Sequence, residues 1–347
     1  MFSWYISTLA TLNKAGLPYP SSICSKGVYR LTKANGVQGL QTFQEPIPEI
    51  DKHELLIRIR SVTLNYRDVA IANGKYPFPV KENVVPCSDA MGEVAKVGSC
   101  AQGFEVGDKV VVAFDPTALY GTIDNWVNAL GGPKDVITQQ RAMGLACLCT
   151  GVTAWNALFG NVPLKPGQTV LFQGAKTIVT SSSNDKLELV KSKFGADYII
   201  NYKKTPNWAA EANKITNGRG VDFILEDGGS GTIKQSIDAI AFGGVISVIG
   251  FLSQALQDEM PDVAGLALSK GCVVRGIIIG SRQQLGDLVR FVGAKDLEMP
   301  VEKTFGFDRE QVINALEYMS SGQHIGSQSV NRGIYAGVSD PHDIDRE

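Results

Sequence analysis

Histidine is scarce in this chain: His53, His324 and His342 are the only three, and none stands at ligand spacing from another. A catalytic zinc needs a set of Cys, His and carboxylate ligands with one position open to water, so metal chemistry has little to build on. Acidic residues are missing from the first 44 positions, which are rich in serine, and the first arginine comes only at Arg30. Organelle leaders are acid-poor but rich in arginine. A cytoplasmic chain is therefore the first expectation and a mitochondrial one the second, with a disordered extension over residues 1–26. No apolar run approaches the ~18 residues of a membrane span. Neither sign of charge is in excess: 33 basic and 35 acidic residues leave −2, so bulk electrostatics points to neither nucleic acid nor membrane as a partner. The six cysteines are scattered over a long chain, the pattern of reduced thiols rather than of a disulfide framework.

What is present is enough for two domains with real cores: 347 residues, 44% of them hydrophobic. From Gly27 the chain is β-rich. Leu55, Ile57 and Ile59 alternate with Leu56, Arg58 and Arg60, which marks a half-buried strand. Residues 90–98 and 106–112 read as further short strands with Gly and Asp turns, together a small barrel or sandwich. From Thr153 the pattern changes. Helix stripes (Leu187, Val190, Phe194; Trp208, Ala209, Ala212, Ile215; Ile233, Ile237, Ile240) alternate with short strands at 198–200, 222–225, 245–249 and 273–279. The last two are continuous apolar runs, as in parallel strands covered on both faces, so this half is an open α/β sheet. Two more helix stripes follow, at Leu285, Leu288, Val289 and Val292 and at Val312, Ala315, Leu316 and Met319.

One element is missing from that sheet. Residues 170–180 read as two short apolar strands with only Gln173 to Lys176 between them. A dinucleotide-binding fold opens with strand, glycine-rich turn, helix and strand over about 30 residues, and parallel neighbours need a crossover of roughly a dozen residues. The stretch is therefore expected to run as one irregular segment or to lose a strand, with one sheet face left uncovered.

Several segments in order resemble the medium-chain dehydrogenase/reductase superfamily, in its zinc-free quinone-reductase and enoyl-reductase branch. Leu64-Asn65-Tyr66-Arg67-Asp68 is similar to that branch's active-site loop, and Val106-Gly107-Asp108-Lys109-Val110 to the barrel turn. Gly151-Val152-Thr153-Ala154-Trp155 is similar to the helix entering the nucleotide domain, and Lys165-Pro166-Gly167-Gln168-Thr169-Val170-Leu171 to the lead-in of its first strand. Residues 186–202 and 242–250 also follow the family. The resemblance covers residues 27–326 and implies a GroES-like β-rich domain (27–150), a Rossmann-type parallel α/β sheet lacking its first βαβ crossover (151–280), a return to the first domain (281–326) and a C-terminal tail (327–347). It departs from the family at the phosphate loop between Gly174 and Ala175 and in a shortening between Asp135 and Cys147, expected to leave part of the small domain open, with an unpaired strand edge or exposed apolar surface. After Gly326, Ser327-Gln328-Ser329-Val330-Asn331-Arg332 replaces the closing strand.

The zinc branch has Gly-His-Glu where this chain has Cys87-Ser88-Asp89, so no metal is expected. A reductase without metal must hold a hydride donor against a polarised double bond and stabilise the charge developing on oxygen. Tyr66 and Asn65 can donate from phenol and amide, on a loop that by resemblance faces the nicotinamide; the alternative is that Tyr66 only packs and Asn65 only makes the turn. NAD sites place an acid at the end of the second strand. Here that end reads Thr180-Ser181-Ser182-Ser183, and Ser182, Lys186 and Tyr202 suit a 2′-phosphate, while Ser183 or Asn184 caps the helix. By resemblance Thr153, Gly250, Phe251 and Ile279 line the nicotinamide, and Gly174 is what remains of the phosphate loop. The implied function is a zinc-independent, NADPH-dependent oxidoreductase transferring hydride to a quinone, enone or carbonyl of a small molecule, with weakened cofactor binding. The alternative is a diverged, non-catalytic homologue that acts as a binding or dimerising subunit. The family often pairs through the edge of its nucleotide-domain sheet, so a homodimer is implied.

Overall fold

Alternation of branched apolar and polar residues decides the first half of the chain. The structure, a computed structural model, describes residues 25–135, 148–171, 176–297 and 300–331. In chain order they form β1 (Ser25–Leu31), β2 (Leu40–Pro46), β3 (Leu55–Leu64), α1 (Tyr66–Ala72), β4 (Asp89–Val97) and β5 (Lys109–Val111). Next come α2 (Leu148–Phe159), β6 (Thr169–Leu171), β7 (Lys176–Ser181), α3 (Asn184–Phe194), β8 (Tyr198–Asn201), α4 (Trp208–Ile215), β9 (Val221–Glu226), α5 (Ile233–Ala239), β10 (Ile240–Val248), α6 (Val263–Lys270) and β11 (Val273–Gly276). The chain closes with α7 (Arg282–Lys295), β12 (Val301–Gly306), α8 (Arg309–Ser320) and β13 (Ser327–Asn331).

The first domain is built on a sheet of order β12-β13-β3-β4-β5, beside the antiparallel hairpin β1–β2. Its core packs Leu40, Leu64, Val69 and Phe305 against the apolar stripe of α8, from Val312 to Met319. The tail expected from residue 327 is corrected here. Ser327–Asn331 is a central strand, parallel to β12 and antiparallel to β3. Its polar residues conceal that role in the sequence, yet Gln328, Ser329 and Val330 are all buried. Across the sheet Gln328 Nε2 donates to Glu302 Oε2 at 3.3 Å and Ser329 Oγ lies 3.1 Å from Thr304 Oγ1, while Gln328 Oε1 has no partner among the described residues. At the other end, β1 begins at Ser25, two residues inside the expected extension. The shortened segment at 136–147 lies outside the described residues. Asp135, at its edge, is buried and accepts from Arg30, Lys81 and the Val85 N–H.

The second domain carries a parallel sheet of order β11-β10-β9-β6-β7-β8. One face packs on α4 and α5 through Trp208, Ala212, Ile233 and Ile237. The expectation for residues 170–180 is also corrected: β6 and β7 are parallel neighbours, with Thr169 opposite Lys176 and Val170 opposite Thr177. The dozen-residue rule supposes strands of ordinary length. Because β6 has three residues, the link must step back only about 7 Å along the strand and about 5 Å across, within reach of the four residues at 172–175. No crossover helix fits there, but the face it would cover is not bare, since Val170 and Phe223 are fully buried beside Leu158 and Leu164. The chain runs outward from β6 to β8 and returns to β9. The strand order therefore reverses between β6 and β9, where open α/β sheets take their ligands. Helix α7 is not simply part of the first domain, because Leu285, Leu288 and Val292 pack on Val111 and Ala113 of that domain and on Val152 of α2. Among the described residues no helix is long and apolar enough to cross a membrane.

Candidate active site

The crevice between the domains begins where β3 turns into α1. Asn65 is the helix cap, and the Asp68 carboxylate accepts the Asn65 N–H at 2.8 Å, an acid serving the first turn. The Asn65 side chain is itself engaged. Its Nδ2 donates to Asp89 Oδ2 at 3.1 Å, and Thr150 Oγ1 donates to its Oδ1 at 3.5 Å. Asp89 also takes the Cys149 N–H, 3.1 Å from each oxygen, at the N-terminal end of α2. A buried carboxylate thus ties the loop of the first domain to the helix that enters the second. Asn65 is fixed by this tie, and one of the two amide protons expected to serve a substrate is already spent on Asp89.

Tyr66 is the next residue and is 48% exposed. Its ring lies 6.1 Å from that of Phe251 at an interplanar angle of 60°, so the two sequence-predicted residues meet across the domains. Among the described residues the Tyr66 hydroxyl takes no hydrogen bond. Phe251 follows β10 in a loop zipped to the one after β9: Leu252 N–H donates to Asp227 O at 3.2 Å and Ser253 N–H to Gly228 O at 2.7 Å. A Cβ at Gly250 would fall 2.2 Å from Asp227 O, so only glycine permits this approach.

Ile279 sits in the left-handed region at φ 45°. For a β-branched residue this is an outlier costing on the order of 1–3 kcal/mol, and such strain gathers at functional sites. A polar network enforces it. Asn156 Nδ2 donates to Ile279 O at 2.8 Å, while Arg275 Nη2 and Gln284 Nε2 donate to Asn156 Oδ1 at 2.7 and 3.1 Å. Ile279, Gly280 and Ser281 line a recess of about 240 Å³, mouth included, with Asp89, Phe114 and Cys149. Thr153 is adjacent but buried, and its hydroxyl donates back to Cys149 O at 2.5 Å. As placed, it packs rather than presents a donor.

The carboxyl ends of β7 and β8 are where the sequence places the cofactor's adenosine. Ser183 Oγ caps α3 by accepting the Lys186 N–H, and Asn201 Nδ2 donates to Ser182 O. Tyr202 is 43% exposed beside them. The Lys186 ammonium donates to the carbonyls of Gly322 and His324, bolting α3 to the turn between α8 and β13. Burial, and then the Lys186 charge, lower the His324 pKa. Gly174 lies outside the described residues.

Sequence reasoning missed the buried charges behind the loop. Arg67 is clamped between the rings of Tyr76 and Phe114, each centroid 5.1 Å from Cζ, and donates to Leu130 O at 2.7 Å. Burial raises the Asp68 carboxyl to about 6 against the Arg67 charge, and raises Asp89 as well. Burial also pushes the Cys87 and Cys149 thiols well above their ordinary value. Ser88 Oγ lies 3.4 Å from Cys149 Sγ. Among the described residues no three His, Cys, Asp or Glu side chains gather as metal ligands. Asp227, at the end of β9, is open to solvent at its surface yet ringed closely by protein, and desolvation followed by the Glu226 charge raises it to about 6. An acid directly after an apolar strand was the available signal for Asp227; nothing local marked Asn156.

Residues 51–145 match the alcohol dehydrogenase GroES-like domain and residues 167–294 the family described as zinc-binding dehydrogenase. A zinc-type alcohol dehydrogenase-like protein of Schizosaccharomyces pombe is 38% identical over 331 residues, covering 84% of this chain and 95% of that one. The chain belongs to the medium-chain dehydrogenase/reductase superfamily. A quinone oxidoreductase-like protein 2 homolog of Nematostella vectensis is 28% identical, with 80% and 81% of the two chains covered. Escherichia coli quinone oxidoreductase, solved in complex with NADPH, shares the fold at TM-score 0.72 and 19% identity, over 88% of this chain and 100% of that one. The GroES-like domain, the parallel nucleotide-type sheet and membership of an oxidoreductase superfamily are thus established for this medium-chain dehydrogenase/reductase.

Proposed function

We propose that the chain is a zinc-independent, NADPH-dependent reductase that delivers hydride to an activated double bond or carbonyl of a small molecule. The observation that carries the reading is the meeting of Tyr66 and Phe251 across the crevice. It places an uncommitted phenol beside the loop that closes the nucleotide domain. When bound, the dihydronicotinamide supplies the hydride. Tyr66 donates a hydrogen bond to the oxygen on which charge gathers, and Asn65, held by Asp89 and Thr150, fixes the loop that aims it. Gly250, Phe251 and the strained Ile279 offer a wall the nicotinamide can approach closely. Ser182, Lys186 and Tyr202 suit a 2′-phosphate, and the strand ends without an acid before Asp185 in the first turn of α3. Ser88 stands where the zinc branch has histidine, which supports chemistry without zinc. Pairing through the outer strand β11, where Val273 is 36% exposed, belongs to the same proposal.

The pyrophosphate has the poorest seat. A full site holds it on two or three N–H groups at a helix N-terminus, and the four residues that separate Leu171 from Lys176 are too few to supply a crossover helix. Losing two charge-assisted bonds of roughly 1.5–3 kcal/mol each costs about 3–6 kcal/mol, or on the order of a hundredfold to ten-thousandfold in affinity. That same gap favours the second reading, a non-catalytic homologue. Fluorescence titration of the purified chain tests both. Saturable binding preferring NADPH to NADH, and tightening when a glycine-rich turn and helix are inserted between Gly174 and Ala175, is the expected result. Low-micromolar binding unaffected by the insertion refutes the weakened seat; no binding to millimolar NADPH refutes the enzyme.

A further inference from the structure

Asn156 lies buried in the second half of α2, yet its side chain reaches out of that helix to three other segments. Its orientation is settled by Arg275, a side chain with donors only. The atom 2.7 Å from Arg275 Nη2 must be the amide oxygen, which leaves Nδ2 to donate to Ile279 O at 2.8 Å. Gln284 fixes the oxygen from a second side. Its Nε2 donates to Asn156 Oδ1 at 3.1 Å, while its Oε1 accepts the Ser281 N–H at 2.9 Å in the capping box of α7. Strand β11 and helix α7 thus aim one amide at one carbonyl, and that carbonyl belongs to the residue held at φ 45°. A β-branched residue leaves the left-handed region unless its surroundings hold it there.

The held residue stands at the carboxyl ends of the sheet. β10 and β11 are parallel neighbours with Val248 opposite Gly276, and Ile277 N–H donates to Val248 O at 2.9 Å. Gly250 and Ile279 therefore leave adjacent strand ends, on the side where open α/β sheets take their ligands. Ile279 is half-buried; it packs towards Phe114 and Cys149 and lines the recess beside Gly280 and Ser281. A turn of its backbone to negative φ would redirect its side chain and its carbonyl together, and with them this wall of the crevice. Resting on the reductase reading above, we propose that Asn156 is a positioning residue for the nicotinamide. It acts through Ile279, holding that residue in the one backbone conformation that keeps the nicotinamide's seat in shape.

The test is a double-mutant cycle on the full chain, read by titration with NADPH and with adenosine 2′,5′-bisphosphate, which has the adenosine end and no nicotinamide. Asn156→Asp keeps an acceptor for Arg275 and Gln284 and removes the donor to Ile279 O; Asn156→Ala removes the donor without adding a charge. Ile279→Gly takes the left-handed conformation without strain. Either Asn156 variant should weaken NADPH at least about tenfold and the bisphosphate less than about twofold. In the Ile279→Gly background the same change should weaken NADPH less than about threefold, because glycine stays left-handed nearly as readily without the tie. A loss shared by both probes, or an equal loss of NADPH in both backgrounds, marks a merely structural amide and overturns the proposal. So does an Asn156 variant that binds NADPH as the unaltered chain does. If the unaltered chain does not bind NADPH, the reductase reading falls and takes the proposal with it; if it binds and the cycle is additive, the proposal alone falls.

Discussion

Asp68 offers a test of the buried charges behind the active-site loop that does not require a known substrate. Its carboxyl is raised from 3.8 to about 6, chiefly by burial, with Arg67 opposing. An acid whose folded pKa is raised contributes stability that is full below the unfolded pKa and is lost as pH rises through the folded one. The shift of roughly two units corresponds to about 3 kcal/mol in full, of which about 1.4 kcal/mol is lost between pH 5 and pH 8. Asp68→Asn keeps an acceptor for the Asn65 N–H and removes the titration. It also deprives Arg67 of a neighbouring anion, which adds an offset of either sign that changes little with pH. The slope decides, not the offset. Urea unfolding of both proteins at pH 5, 6, 7 and 8 should show the variant gaining on the parent by about 1–2 kcal/mol across that range. Asp227, also raised to about 6, titrates in both proteins and cancels. A difference that stays constant from pH 5 to pH 8 refutes the reasoning.

Three other expectations are quickly checked. Tyr66→Phe preserves the ring contact with Phe251 and should lower kcat by about a hundredfold or more with little change in KM, as for loss of one donor to a developing oxyanion; unchanged turnover of a reducible quinone would sink the phenol's role. Lys186→Ala should weaken NADPH more than NADH, measured by parallel titrations, and equal losses would contradict the phosphate contact. Elemental analysis should return far less than one zinc per chain; stoichiometric zinc, lost with activity on chelation, would contradict the reading of Cys87-Ser88-Asp89.

Legibility in the sequence followed the range of the interactions. β3 was plain because Leu55, Ile57 and Ile59 alternate within one segment, and α3 because Leu187 and Val190 repeat at helical spacing above a serine cap. β13 was not, since a strand that buries Gln328 and Ser329 is recognisable only when Glu302 and Thr304 stand beside it. The parallel pairing of β6 and β7 was misjudged because a rule drawn from strands of ordinary length was applied to one of three residues. At the site, Tyr66 and Phe251 were named separately and the fold joins them. Asn65 was expected to donate to a substrate and Thr153 to line the nicotinamide, but Asp89 and Cys149, distant in sequence or masked by helical spacing, engage their polar groups. The clamp of Asn156 on Ile279 joins residues far apart in the chain and left no local trace.

The ties across the crevice bear on how selective this chain can be between NADPH and NADH. One tie, Asp89 with Asn65 and Cys149, is buried behind Tyr66; the other, Lys186 with the Gly322 and His324 carbonyls, lies where the proposed reading puts the cofactor's adenosine. A 2′-phosphate arriving at Ser182 does not meet a free ammonium. It must compete with two carbonyl acceptors that already hold Lys186. A phosphate oxygen is the stronger acceptor, because its own charge attracts the ammonium where a neutral carbonyl offers only a dipole, so the exchange is favourable, but only by the difference. The lysine's share of selectivity is therefore less than one full charge-assisted bond of roughly 1.5–3 kcal/mol, or less than about tenfold to a hundredfold in affinity. The same exchange releases the turn between α8 and β13 from α3, so NADPH should loosen this end of the domain interface while NADH leaves it bolted. Amide hydrogen exchange at residues 322–326 should therefore quicken with NADPH and not with NADH. If it slows equally with both, the lysine stays on the carbonyls and selectivity must come from Ser182 and Tyr202.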